Sequence, residues 1–108
     1  GRIDLTAAFR AEWVVNPEGG YIHGGILAAL VDLAADWALV SHTGRGVPTI
    51  DLRVDYHRAA RGDLRAEGRV VKTGRQFSVA EARVFDAGGH LVASGRGVYA
   101  MPAPAAQG

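Results

Sequence analysis

The feature that most constrains this chain is a run from Ile26 to Val40 whose only polar residues are Asp32 and Asp36. The rest of the run is Ile, Leu, Val, Ala and Trp37, with no Pro or Gly to interrupt it. Leucine and alanine favour helix, and Gly44 in Thr43-Gly44-Arg45-Gly46 is a good left-handed cap. A helix apolar on every side is expected to be buried on every side. At this length, and with two carboxylates, the run is too short and too acidic to span a bilayer, which takes roughly 20 apolar residues.

One buried helix needs a sheet that curls around it, and the flanking sequence supplies strands. Ile3, Leu5, Ala7 and Phe9 alternate with polar residues before the helix. After it, alternation recurs over Ile50–His57, Leu64–Val70, Phe77–Phe85 and Leu91–Ala100. These stretches are separated by Arg61-Gly62-Asp63, Thr73-Gly74 and Asp86-Ala87-Gly88-Gly89. The turns are short, and short turns make neighbours antiparallel. The expected architecture is α+β: a five-stranded antiparallel sheet wrapped around one central helix. The 108 residues suit one domain, expected over 1–101, with 102–108 a flexible Pro/Ala tail.

Composition excludes several classes. A net charge of +1 argues against general nucleic-acid binding, which needs a strong basic excess. With no cysteine there are no disulfides, thiolate metal sites or cysteine nucleophiles, and a reducing cytoplasm is the expected location. Gly1 to Phe9 already alternates like a strand, so no signal peptide is visible. No two histidines have metal-ligand spacing, and nothing calls for a cofactor or a membrane. Gly44-Arg45-Gly46 and Gly95-Arg96-Gly97 do not match phosphate-loop patterns, and Ser41-His42 lacks the glycines of a nucleophile elbow.

Asp32 and Asp36 carry the strongest chemical signal. Aspartate is almost never buried unpaired, and at i, i+4 the two share one helix face. That face is either a solvated rim or a cleft in which one carboxylate is base or nucleophile. Gly24-Gly25 is the second signal. Glycines at a helix start leave amide N–H groups bare, where the helix dipole adds positive potential, so a developing oxyanion can be held there; a tight turn is the plainer explanation. Gly24 and Asp32 lie eight residues apart, about 12 Å along a helix, too far to act on one atom. Two helices antiparallel across a two-fold axis bring one protomer's glycine to the other's acid, so the sites are expected at a homodimer interface. The arginines of the strands read mainly as a solvated sheet face, a few of them suited to holding phosphate.

The run His23-Gly24-Gly25-Ile26-Leu27-Ala28-Ala29-Leu30-Val31-Asp32 resembles the signature of the hot-dog-fold thioesterases. It is most similar to the branch with the phenylacetyl-CoA and Arthrobacter-type hydroxybenzoyl-CoA thioesterases. Asp51-Leu52-Arg53-Val54-Asp55-Tyr56-His57-Arg58 resembles that family's first strand after the helix, and Ala60-Arg61-Gly62-Asp63 the turn beyond it. The resemblance implies hydrolysis of an acyl-CoA, with aryl, short or medium acyl groups in view, by a dimer of dimers whose sites are shared between protomers. It implies that Asp32 is nucleophile or general base, that the amide of Gly24 or Gly25 polarises the thioester carbonyl, and that His23 lies near that carbonyl. Asn16 resembles an upstream polar residue, with one residue more between it and His23 than the family has. Arg58 and Arg61 match positions near the CoA nucleotide. Trp37, Leu30 and Leu33 are candidates for the acyl pocket. Relatives often carry a small or hydroxyl residue where this chain has Asp36, which can position water or hold a proton. Two other readings stand beside hydrolysis: a non-catalytic acyl-CoA-binding or regulatory module, which has no need to desolvate Asp32, and a hydratase, for which no second motif is found.

Overall fold

The computed structural model describes residues 1–15 and 18–101; the expected tail at 102–108 and the candidate Asn16 lie outside the described residues. Strand β1 (Arg2–Ala7) is followed by a 3-10 turn at Ala11–Trp13 and the helix α1 (Gly24–Thr43). Strands β2 (Thr49–Tyr56), β3 (Leu64–Lys72), β4 (Phe77–Phe85) and β5 (Leu91–Ala100) complete the chain. All five strands form one antiparallel sheet in the order β1-β3-β4-β5-β2, and α1 packs on one of its faces. This is the expected architecture.

Helix α1 begins two residues before the apolar run and ends three after it. At its start the His23 ring accepts from the Gly25 N–H at 2.8 Å. At its end Gly44 takes the left-handed conformation, φ 76°, and donates to the Val40 carbonyl. Ser41 and Thr43 turn their hydroxyls back onto the carbonyls of Ala38 and Leu39, which accommodates two poor helix formers in the last turn. At 20 residues, with mean hydropathy 1.5, the helix is longer than the sequence run indicated. Length and composition alone therefore do not exclude a span. What identifies it as a core helix is its packing: Leu27, Val31, Ala34, Ala35, Ala38 and Leu39 are all buried against the sheet.

The helix lies close to the sheet because two strand glycines make room. A Cβ at Gly68 would overlap the Ala34 carbonyl, and one at Gly95 would sit 2.6 Å from the Val31 side chain. Small residues on both sides bring the surfaces together, and the inward residues of β3, β4 and β5 (Leu64, Ala66, Ala80, Val84, Val92) close the core. Each large side chain so buried contributes roughly 1.5–3 kcal/mol.

Two expectations need correcting. The helix is not buried all round: one sheet covers one side, and Leu33 and Trp37 on the other are 45% and 49% exposed. The four later strands are also not simple sequential neighbours. β2 lies at the far edge beside β5, and β1 rather than β2 flanks β3. The connection over 57–63 is long enough to cross the end of the sheet, and Gly62, at φ 75°, is only the last part of it.

Candidate functional site

Asp32 sits at the border between the buried and exposed sides of α1, and two hydroxyls converge on one of its oxygens. Thr49 Oγ1 and Tyr99 Oη each donate to Asp32 Oδ1 at 2.9 Å. Tyr99 also lies 3.3 Å from the Asp32 carbonyl. No bond of Oδ2 is found among the described residues.

The sequence pattern conceals both donors. By alternation Thr49 belongs with Asp51, Arg53 and Asp55 on the outer face of β2. A bulge between Thr49 and Asp51 shifts the register, so that Thr49 pairs with Tyr99 while Asp51 pairs with Val98. The bulge turns Thr49 to the helix side and leaves Ile50 52% exposed; bulges near sites commonly re-aim a side chain in this way. Tyr99 occupies an inward position of β5 that reads as core. Its only outward signs in the sequence are the glycines at 95 and 97.

Asp36 lies one turn beyond Asp32. Its Oδ1 is fully buried and has no hydrogen-bond partner among the described residues. Burial first, and then the Asp32 carboxylate, push the Asp36 carboxyl above the ordinary range, against the Val47 backbone N–H that pulls it down.

At the helix start the structure separates the two glycine amides. Gly25 N–H is occupied by His23 Nδ1. An N–H can only donate, so Nδ1 accepts, and the proton of the neutral ring is on Nε2. Gly24 N–H has no partner among the described residues. It belongs to the peptide whose carbonyl, that of His23, accepts from Ile26 N–H at 3.0 Å, a chain that strengthens the free amide as a donor. Tyr56, at the end of β2, covers this turn. Its hydroxyl donates to the Gly24 carbonyl at 3.1 Å, and a Cβ at Gly24 would stand 3.2 Å from its ring. His23 N–H is bonded to the Trp13 carbonyl at 2.7 Å and Ile22 N–H to the Ala60 carbonyl at 2.8 Å, so the His-Gly-Gly turn is fastened on both sides.

Arg61 donates to the Gly19 carbonyl at 3.0 Å and so holds the loop before the turn, while Arg58 is exposed after β2. Trp37 and Leu33 stand on the exposed side of α1 and Leu30 is half-buried. Most strand arginines are paired across the outer sheet face. Arg65 and Arg83 bond Glu67 at 2.7 and 2.9 Å, with Arg2 near, and Arg69 pairs with Glu81 beside Arg96. Arg65's hydrogen bond holds Glu67 below the ordinary range, and Arg69's does the same for Glu81. His57 bonds Ser94 at 2.8 Å and His90 bonds Asp86, both away from α1.

Among known proteins, the sequence profile of the thioesterase superfamily matches residues 19–93. A Halobacterium salinarum protein named for a proposed esterase activity is 44% identical over 94 residues. The match takes in 78% of this chain and 62% of that protein, so this chain spans less than two thirds of that relative. A solved structure described as from the thioesterase superfamily superposes with a TM-score of 0.89 at 51% identity, covering 92% of this chain and 76% of that one. A Streptococcus mutans protein solved with bound acetyl-CoA superposes at 0.80 with 26% identity, covering 94% and 82%.

Proposed function

The chain belongs to the thioesterase superfamily, and on that premise we propose that it hydrolyses an acyl-CoA to the free acid and CoA. The observation that carries this reading is the Asp32 carboxylate, set in an apolar helix and fixed through one oxygen by two hydroxyls. A carboxylate held in this way, with its second oxygen free, is suited to attack a carbonyl or to take a proton from water. The acetyl-CoA bound to the Streptococcus mutans relative supports the substrate class.

In this reading the thioester carbonyl oxygen lies on Gly24 N–H, with His23 Nε2–H beside it and the positive end of the helix dipole behind both. Gly24 is preferred to Gly25 because the Gly25 amide is already bonded. Asp32 cannot reach the same carbon from its own helix, at about 12 Å; the acid comes from a second copy. The exposed apolar side of α1 and the unpaired edge of β2 support a two-fold dimer that brings the helices together, with dimers of dimers beyond it. Asp32 Oδ2 attacks the carbonyl or activates the water that does. The acyl group keeps the hydroxyl of the water, and the CoA sulfur leaves with the proton. Asp36, whose carboxyl stays protonated to higher pH than usual, is suited to pass that proton or to orient the water. Arg58, and less directly Arg61, is assigned to the CoA phosphates, and Trp37, Leu30 and Leu33 to the acyl group.

The test is release of free thiol from a panel of aryl, short, medium and long acyl-CoAs, for wild type and Asp32→Ala together. Turnover falling at least ~10³-fold in the variant, with the fold intact, is expected. Folded wild type that binds acyl-CoAs and turns none over would overturn the reading in favour of a binding module. For Asp36, the acidic limbs of the pH–rate profiles of wild type and Asp36→Ala are expected to differ; coincident limbs would remove it from the mechanism.

A further inference from the structure

Gly95-Arg96-Gly97 matches no phosphate loop, and its place in β5 gives it a different purpose. Gly95, Gly97 and Tyr99 are alternate residues on the helix side of the strand. At Gly95 the missing side chain admits Val31 of α1. At Gly97 a Cβ would overlap the Tyr99 ring and its hydroxyl. The tyrosine therefore lies back along its own strand, over Gly97, between the sheet and the helix. It is fully buried, at 0% exposure, and its hydroxyl reaches Asp32 Oδ1 at 2.9 Å.

A buried phenol hydroxyl without a partner is costly, so the fold must provide one. Here the partner is the one carboxylate to which the proposed reaction assigns the chemistry. Burial first, and then the bond to Asp32 and the charges of Asp32 and Asp36, push the Tyr99 phenol far above its ordinary range. It keeps its proton and remains a donor. Tyr99 is too deep to touch a substrate, so whatever it does is done through Asp32. An aspartate free to rotate offers either oxygen in a spread of orientations. One pinned at Oδ1 by a rigid ring offers Oδ2 in a single orientation, and misplacement of a reacting group by about 1 Å can cost ~10²-fold in rate.

We propose that Tyr99 is a positioning residue that fixes Asp32 through Oδ1 and leaves Oδ2 as the working oxygen, with Gly97 the clearance that lets its ring lie flat. That Oδ2 does the work rests on the hydrolase reading above; the Tyr99–Asp32 bond does not.

The experiment has two readouts, only one of which needs a substrate. The first is the carbon NMR chemical shift of the Asp32 side-chain carboxyl, compared at one fixed pH in wild type and in Tyr99→Phe, a variant that removes a single oxygen. The resonance is expected to move when the donor is lost. The second is turnover: kcat is expected to fall about 10- to 100-fold with KM nearly unchanged. Gly97→Ala is expected to change both in the same direction. Tyr99→Phe/Gly97→Ala together should be no worse than the worse single variant, because both act through one ring. An unmoved Asp32 resonance in folded Tyr99→Phe overturns the proposal, as does a moved resonance with unchanged kcat. A moved resonance in a protein whose wild type turns over no acyl-CoA keeps the Tyr99–Asp32 bond and overturns Oδ2 as the working oxygen, along with the hydrolase reading.

Discussion

The two sides of α1 are nearly equal in hydrophobicity and entirely different in fate. The side bearing Leu27, Val31, Ala34, Ala35, Ala38 and Leu39 is buried against the sheet. The side bearing Ala29, Leu33 and Trp37 is exposed. What distinguishes them is shape. Alanines and two strand glycines let the inner side approach the sheet until the Ala34 carbonyl meets Gly68, whereas Trp37 would not fit such a contact. The outer side carries the bulk that a second surface would cover. Asp32 and Asp36 lie along the seam, where a carboxylate can keep one oxygen in the protein and present the other outward.

Mutation of the outer side distinguishes a surface covered by a second copy from one that is only solvated. Trp37→Glu is expected to yield monomers in sedimentation velocity and to reduce turnover more than about 100-fold, because in the proposed dimer each site is built from two helices. A monomeric variant that is fully active would place the whole site within one chain. On the inner side, Leu39→Ala is expected to lower unfolding stability by about 2–5 kcal/mol in denaturant titration while leaving the association state unchanged.

Smaller effects follow from the charges. Asp36 has its carboxyl pushed up in the folded protein, so ionising it weakens the fold as pH rises above the unfolded value near 3.8. Asp36→Asn is therefore expected to raise Tm by about a few degrees at pH 7, the gain disappearing in acid where both states are protonated. Glu67 and Glu81 behave oppositely. Their arginine partners hold them below the usual value of 4.5, so they contribute stability above that pH and lose it as pH falls through their folded values. Glu67→Gln should lower Tm slightly at pH 7 and not at all in strong acid; exposed pairs of this kind are worth little. Equal effects at both pH values would show that packing, not charge, is what that residue supplies.

Much of this protein is set locally and was legible in the sequence. The uninterrupted Leu/Ala run specifies a helix, Gly44 its end, and the period-two stretches their strands, because propensity, capping and side-chain alternation act over a few residues. The His-Gly-Gly turn and the acid eight residues after its first glycine were also visible, since both are spacings along one chain. Tertiary structure decided what depends on distant parts of the chain meeting. It placed β2 beside β5 instead of β3 and chose which side of an evenly apolar helix meets the sheet. Above all it brought Thr49 and Tyr99 to Asp32. One is turned inward by a bulge that breaks its strand's alternation, and the other is laid flat by a glycine two residues away; the first exists only in the register between β2 and β5 and the second only in the packing of the ring between sheet and helix, so neither leaves a periodic trace.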